Sequence, residues 1–369
     1  MVDRMFIDIL SAVEDLFSPF RALVFSLSIS TFVYLITRRF AGQIKFGDFV
    51  FWVCLTLVFI VLSVFPASVV LINEYVGLGG NDRFDRLILL SFAAVIILFV
   101  QNYRLQSVVR AHKMHTADSI QALYAEKFLE GSKIVKGSQD VILLIPAYNE
   151  EGSIKNVLSR VPKNILGFDL TVLVIADGCK DHTVEQALSF DVNVLELSVN
   201  SGQAFAYRTG YKVAMLGGFK YVLHLDADGQ YNPEELHLLL NPLIKGEADF
   251  VSGSRLLGAY EEKFKNNNIV RSIGVYFFNF VLSIITGYKV SDSASGFRGI
   301  TVNVLSKLQL EQTQFHSSEL LIEAVKKGAT YTEVGVSFNR RFAGKSKKPS
   351  DFSYAVGFTK AIIRSWFRN

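Results

Sequence analysis

Apolar residues follow two different patterns in this chain of 369 residues, and the pattern changes near residue 104. Before it lie three long runs almost free of charge: Phe20 to Ile36, Phe49 to Ile72 and Leu87 to Tyr103. A helix needs about 20 apolar residues to cross a bilayer core, so the middle run is long enough alone and the outer two must use their flanks. Buried core helices are the other reading of those two. Arg38, Arg39, Arg83, Arg86 and Arg104 bracket the runs, and a charge at mid-membrane costs about 2.5 to 3.5 kcal/mol. The pattern therefore predicts an all-α transmembrane region over residues 1–103 with three spans.

Beyond it the periods shorten. Residues 104–138 place Leu105, Val108, Val109, Ile120, Leu123 and Tyr124 at helical spacing, which predicts a linking helix. Gly131, Gly137 and Ser138 then punctuate the chain and mark a domain boundary. Short apolar runs follow at Val141 to Ile145, Thr171 to Ala176, Val192 to Leu197, Tyr221 to Leu225 and Phe250 to Ser252, with amphipathic stretches between them. Alternating strands and helices predict an α/β domain over residues 139–348, a mostly parallel sheet with helices on both faces. Such sheets bind ligands at the carboxyl ends of their strands, where Pro146 to Glu150, Asp177-Gly178, Asn200-Ser201-Gly202 and Asp226 to Gln230 fall. Residues 349–369 set Phe352, Val356, Ile363, Trp366 and Phe367 among Lys360, Arg364 and Arg368. That composition fits an amphipathic interfacial helix, or one packed on the domain.

Charge refines the membrane expectation. The segments holding Arg38, Arg39 and Lys45 and holding Arg104, Arg110 and Lys113 are basic, whereas Asp3, Asp8, Glu14 and Asp15 precede the first run. Basic residues favour the cytoplasmic side, so the N-terminus is expected outside and the C-terminal domain on the cytoplasmic face. No small-residue cleavage site follows the first run, which reads as a retained span. A net charge of +4 is too mild for a nucleic-acid partner and suits anionic lipid. The two cysteines, Cys54 and Cys179, allow neither a disulfide framework nor a zinc site. Nothing along the chain specifies an oligomeric state.

Candidate chemistry centres on Asp226-Ala227-Asp228. Two acids one residue apart after a strand can face one cation, with Gln230 offering a neutral oxygen. Mg²⁺ is commonly held by one or two carboxylates plus substrate phosphates; a solvated turn is the alternative. Neither GxGxxG nor GxxxxGK occurs, which disfavours a dinucleotide site or P-loop.

In order along the chain stand Pro146 to Glu150 (PAYNE), Asp177-Gly178, Asn200 to Gly202 with Gly210, Asp226 to Gln230 (DADGQ), Gly253-Ser254-Arg255, Asp292 to Arg298 (DSASGFR) and Arg341 to Lys347 (RFAGKSK). This series resembles the inverting family 2 glycosyltransferases of the GT-A fold, a Rossmann-like mixed sheet, especially their polyprenyl-phosphate branch. The resemblance implies that Pro146, Tyr148, Glu150, Asp177, Gly202 and Asp226 contact the donor nucleotide. It implies Mg²⁺ or Mn²⁺ at Asp226, Asp228 and Gln230. Asp228, Arg255, Asp292, Arg298, Arg341 and Lys347 would form the catalytic group, the cations serving the donor diphosphate and an anionic acceptor, and Glu319 fits a position near that acceptor. The expected reaction moves one sugar from a GDP- or UDP-linked donor to dolichyl or undecaprenyl phosphate. Transfer to a hydroxyl of a lipid-linked saccharide, with Asp292 as base, is an alternative; so is a non-catalytic sugar-nucleotide or glycolipid-binding protein. The chain departs from the family where Ala176 precedes Asp177, a place often acidic, and where Gln203 follows Gly202, a place often lysine.

Overall fold

The computed structural model describes residues 19–40, 46–64, 81–258, 269–339, 341 and 351–366. Two compact units result, Met1–Lys113 and Met114–Asn369.

The first unit is helical. α1 (Pro19–Phe40), α2 (Phe46–Val64) and the start of α3 (Asn81–Gly131) coincide with the apolar runs. Tyr34 of α1 and Trp52 of α2 each meet Phe99 of α3 edge-on, at 5.8 and 5.0 Å between ring centroids. Arg38 lies 5.0 Å from both the Tyr34 and Tyr103 rings, where the aromatic faces offset its charge. Leu23, Val33, Phe51, Val58 and Leu98 are exposed. Among the described residues one helical window, Ala22–Arg39, is long and apolar enough to cross a membrane. The second apolar run continues past residue 64 into a stretch outside the described residues. The third lies inside α3, which runs on without a break to Gly131. The division between the units therefore falls within a helix, beyond the boundary that composition suggests at residue 104.

The second unit is built on one mixed sheet. Its strands are β1 (Val141–Ala147), β2 (Asn164–Ile165), β3 (Phe168–Asp177), β4 (Asn193–Leu197), β5 (Tyr221–His224), β6 (Phe250–Ser254), β7 (Arg298–Thr301) and β8 (Tyr331–Gly335). The order is β2-β3-β1-β5-β7-β6-β8, with β4 also on β3. β4, β3, β1 and β5 run parallel, whereas β7 is antiparallel to β5 and β6. The five expected strands are present. β7 escapes an apolar-run criterion because it opens on Arg298. Being reversed, it brings the start of its chain, and the Asp292 loop before it, to the edge where β5 and β6 end.

Helices α4 (Ile154–Arg160), α5 (Thr183–Leu188), α6 (Gln203–Gly217), α7 (Leu236–Ile244), α8 (Ile269–Thr286), α9 (Val302–Leu305), α10 (His316–Lys326) and α11 (Asp351–Trp366) complete the unit. Side chains of a strand point alternately to opposite faces. Ile142 and Leu144 of β1 accordingly pack with Tyr207 and Val213 of α6 and Leu320 of α10. Val141, Leu143 and Ile145 pack with Ile154 of α4 and Leu239 of α7 in the second core. Helices thus cover both faces. α11 joins the first core through Phe358, whose ring lies 4.6 Å from that of Phe278, and through Ile362.

Candidate active site

The carboxyl ends of β1, β3, β5 and β6 and the amino end of β7 border one crevice. Pro146 is buried near the end of β1, and Tyr148 and Glu150 follow, half-buried. Asn149 turns there with φ 52° and accepts from the Lys180 backbone N–H at 2.8 Å, while the Glu150 N–H donates to Thr183 Oγ1 at 2.8 Å. These bonds tie the loop after β1 to the loop after β3.

Asp177 acts on the backbone. Its two carboxylate oxygens accept the Ser201 and Gly202 N–H groups, both at 2.7 Å. A carboxylate so placed satisfies donors at the start of α6 and is favoured there by the helix dipole. Gly178 permits the approach: its φ is +66°, and a Cβ there would stand 2.3 Å from Asn200 N. Gly202, at φ +91°, then begins α6, and Gln203 extends its amide to Asp226 Oδ1 at 2.9 Å.

Asp226 and Asp228 follow β5 as expected, the second almost buried. Asp228 Oδ1 accepts the Gln230 N–H at 3.0 Å, and Oδ2 accepts from Arg341 Nη2 at 2.7 Å. Opposite Asp226 the chain has Gly296, where a Cβ would fall 2.1 Å from Oδ2. The carboxylate thus occupies a recess open only to a glycine. Two carboxylates with hard oxygen donors at a crevice edge fit Mg²⁺ or Mn²⁺, ions that complete their shells with phosphate and water. Among the described residues no cluster of three or more His, Cys, Asp or Glu exists to hold a metal by protein groups alone.

Arg255 and Asp292 form a tight pair. Arg255 Nε and Nη2 donate to the two carboxylate oxygens at 2.6 Å each, and its backbone N–H adds a third bond at 3.1 Å. Burial alone would raise Asp292, but the Arg255 bonds and charge outweigh it and hold the carboxyl below its usual range. Both oxygens are therefore committed, and an acid so depressed is a poor proton acceptor near neutrality. Glu333 of β8 braces the same loop, accepting the Ser291 N–H at 2.9 Å and the Asp292 N–H at 3.3 Å. Tyr231 closes it from the other side: its hydroxyl accepts the Gly296 N–H at 3.2 Å and its ring stacks on Phe297.

Arg298 differs from its expected place. It is fully buried at the start of β7, and its guanidinium donates to the carbonyls of Ser293, Ser295 and Ser317. These bonds join the Asp292 loop to α10 rather than facing a phosphate. Glu319 is also buried, accepting the Glu311 and Gln312 N–H groups at 2.8 and 2.9 Å. Behind the crevice, the Tyr207 ring lies tilted against those of His224 and His316, at 4.6 and 4.9 Å between centroids. Burial pushes both histidines down, His316 to about 3, with the Arg298 charge adding to the effect. Lys347 lies outside the described residues.

Tyr148, Glu150, Asp177, Asp226 and Asp228 thus stand at the carboxyl ends of β1, β3 and β5, where strand-end reasoning expects them, and Arg255, given by the family resemblance, follows β6. Gly296, Tyr231, Glu333 and Asn279 are organising residues that such reasoning passes over.

Residues 142–309 match the model of the family described as glycosyl transferase family 2. The UDP-N-acetylglucosamine–dolichyl-phosphate N-acetylglucosaminyltransferase of Methanococcus voltae is 30% identical, over 53% of this chain and 84% of its own. The chain belongs to glycosyl transferase family 2. An uncharacterised protein of Methanocaldococcus jannaschii is 32% identical over 53% of this chain and 80% of its own. The polyprenol monophosphomannose synthase of Mycolicibacterium smegmatis is 28% identical over 59% and 84%. As a family 2 member this protein is a glycosyltransferase, and the family match begins at Ile142 in β1.

Proposed function

We propose that this glycosyltransferase, with a GT-A catalytic domain, moves a single sugar from a nucleoside-diphosphate sugar to a polyprenyl phosphate, with inversion, at the cytoplasmic face of a membrane. The observation that carries the reading is α8. Its outer face is apolar, with Tyr276, Phe277, Phe280 and Ile284 exposed by 64, 57, 62 and 67%, while its inner face holds the loop of Asp292. A large exposed apolar patch marks a binding surface. One beside the catalytic crevice fits the bilayer in which a lipid acceptor resides, with its phosphate at the headgroup level. The basic residues flanking the N-terminal helices support an integral protein with three spans and this orientation. Relatives named for dolichyl and polyprenol phosphates support the acceptor class.

Asp226 and Asp228, with Gln230 beside them, would hold Mg²⁺ or Mn²⁺. When bound, that ion supplies electrostatic stabilisation of charge building on the leaving diphosphate. Tyr148, Glu150 and the loop clasped by Asp177 line the donor nucleotide, UDP or GDP. Arg255, set by Asp292, would bind the acceptor phosphate, and Arg341, bonded to Asp228, would serve the diphosphate.

In the reaction an acceptor phosphate oxygen bonds to the anomeric carbon as the bond to the donor diphosphate breaks, its electron pair leaving with the diphosphate. A phosphate monoester has a second pKa of about 6 and is largely dianionic at neutral pH, so no side chain need remove a proton. The engagement of Asp292 with Arg255 agrees with this and speaks against a hydroxyl acceptor that would use it as base. Alignment and electrostatics then supply the rate.

Purified chain with Mg²⁺, labelled UDP- and GDP-sugars and polyprenyl phosphate is expected to yield labelled lipid and free nucleoside diphosphate. Asp226→Asn is expected to abolish it. Transfer at near wild-type rate in that variant would sink the metal assignment, and product formed only on saccharide hydroxyls would sink the acceptor assignment.

A further inference from the structure

α8 turns an unusual pair of faces to its surroundings. Phe278 and Leu282 pack inward, yet contacts between apolar groups are non-directional and leave a helix free to shift along its partner. Asn279, between them in sequence and 5% exposed, removes that freedom. Its Nδ2 donates to the Ser291 carbonyl, and its Oδ1 accepts the Ser293 N–H at 3.1 Å. One turn further on, Ser283 Oγ accepts the Val290 N–H at 2.9 Å. A buried amide is costly unless bonded, and here both of its ends are spent on the two residues flanking Asp292. Asp292 in turn fixes Arg255 by the three bonds described above. A continuous set of directional contacts therefore runs from the inner face of α8, opposite its exposed apolar side, to the Arg255 guanidinium.

We propose that Asn279 is a positioning residue that sets Arg255 against the acceptor phosphate from the lipid-facing helix. The position of α8 on the bilayer and the grip on the lipid phosphate then share one linkage. The inference rests on the lipid-phosphate reading given above.

The test uses the full chain in vesicles containing polyprenyl phosphate, comparing wild type with Asn279→Ala and Asn279→Asp. The aspartate keeps an acceptor for Ser293 but sets a second acceptor against the Ser291 carbonyl, so it breaks one contact with little change of volume. In both variants the KM for polyprenyl phosphate is expected to rise about tenfold, the consequence of losing a buried hydrogen bond. The donor KM and vesicle flotation should stay at wild-type values. A residue that merely supported the fold would lower the active fraction, reducing kcat with both KM values unchanged. That result, or an equal rise in both KM values, overturns the proposal. Should Asn279→Ala fail to fold, Asn279→Asp decides alone. Wild-type enzyme that turns over without using polyprenyl phosphate would defeat the lipid-phosphate reading and this proposal together; unchanged variants of a wild type that does use it defeat only the role of Asn279.

Discussion

Replacing Gly296 with alanine adds one methyl group opposite the Asp226 carboxylate. The new Cβ would lie 2.1 Å from Oδ2 and 2.8 Å from Cγ, against the roughly 3.4 Å at which ordinary contact begins. The carboxylate must therefore move by more than an ångström, which also breaks its 2.9 Å bond from Gln203. Gly296 is not among the positive-φ glycines, so alanine brings no backbone strain, and its N–H bond to Tyr231 can persist. A misplacement of about 1 Å in a catalytic site can cost about 100-fold in rate, equivalent to about 2.7 kcal/mol of transition-state stabilisation. Steady-state release of nucleoside diphosphate should show kcat/KM reduced by about that factor, and the apparent requirement for Mn²⁺ should shift upward, while the melting temperature stays near wild type. Wild-type kcat/KM in a folded Gly296→Ala protein would show that the recess around Asp226 plays no part in catalysis.

Other perturbations test separate parts of the crevice. Gln203→Lys places a cation on Asp226 in place of a neutral amide; it should weaken Mn²⁺ binding, read by electron paramagnetic resonance, more than Gln203→Ala does, and equal affinities would contradict the contact. Asp292→Asn removes the carboxylate charge that Arg255 grips by two side-chain bonds and should destabilise the domain by about 3 kcal/mol, as broken buried pairs do, measured by urea unfolding. His224 and His316 are neutral in the fold because burial pushes them down, whereas the unfolded chain protonates both near pH 6.5. Stability should therefore fall as pH drops below about 6.5, each histidine adding a slope approaching 1.4 kcal/mol per pH unit. Melting curves for His224→Phe should lose part of that slope. Asp292 acts lower on the scale: its carboxyl is depressed in the fold, so its contribution is full above the ordinary aspartate value of about 3.9 and is lost progressively as pH falls from there through the lower folded value.

The alternation of short apolar runs with amphipathic stretches was enough to place the strands from β1 to β6 that end at the crevice, because each is buried on both faces. β7 was hidden by its charged first residue, since Arg298 is satisfied by three carbonyls that no linear pattern displays. Asp226 and Asp228 were legible from their spacing after an apolar run. The role of Asp177 was not: its carboxylate serves backbone N–H groups 24 and 25 residues on, a partnership set by how β3 and α6 meet. Arg298 and Glu319 had the residue types of ligands, yet folding buries both against peptide groups. In the N-terminal unit, helix formation followed the apolar runs, but hydropathy did not reveal that the third run and the linker form one helix through Gly131.

The outward aromatic face of α8 also bears on how the protein is handled. Tyr276, Phe277 and Phe280 belong to the catalytic unit, Met114–Asn369, and not to the N-terminal helices. Removing residues 1–113 would therefore not yield a surface suited to plain buffer. The excised unit would self-associate or require detergent, and polar replacements at these three positions, rather than further truncation, are the route to a monodisperse sample.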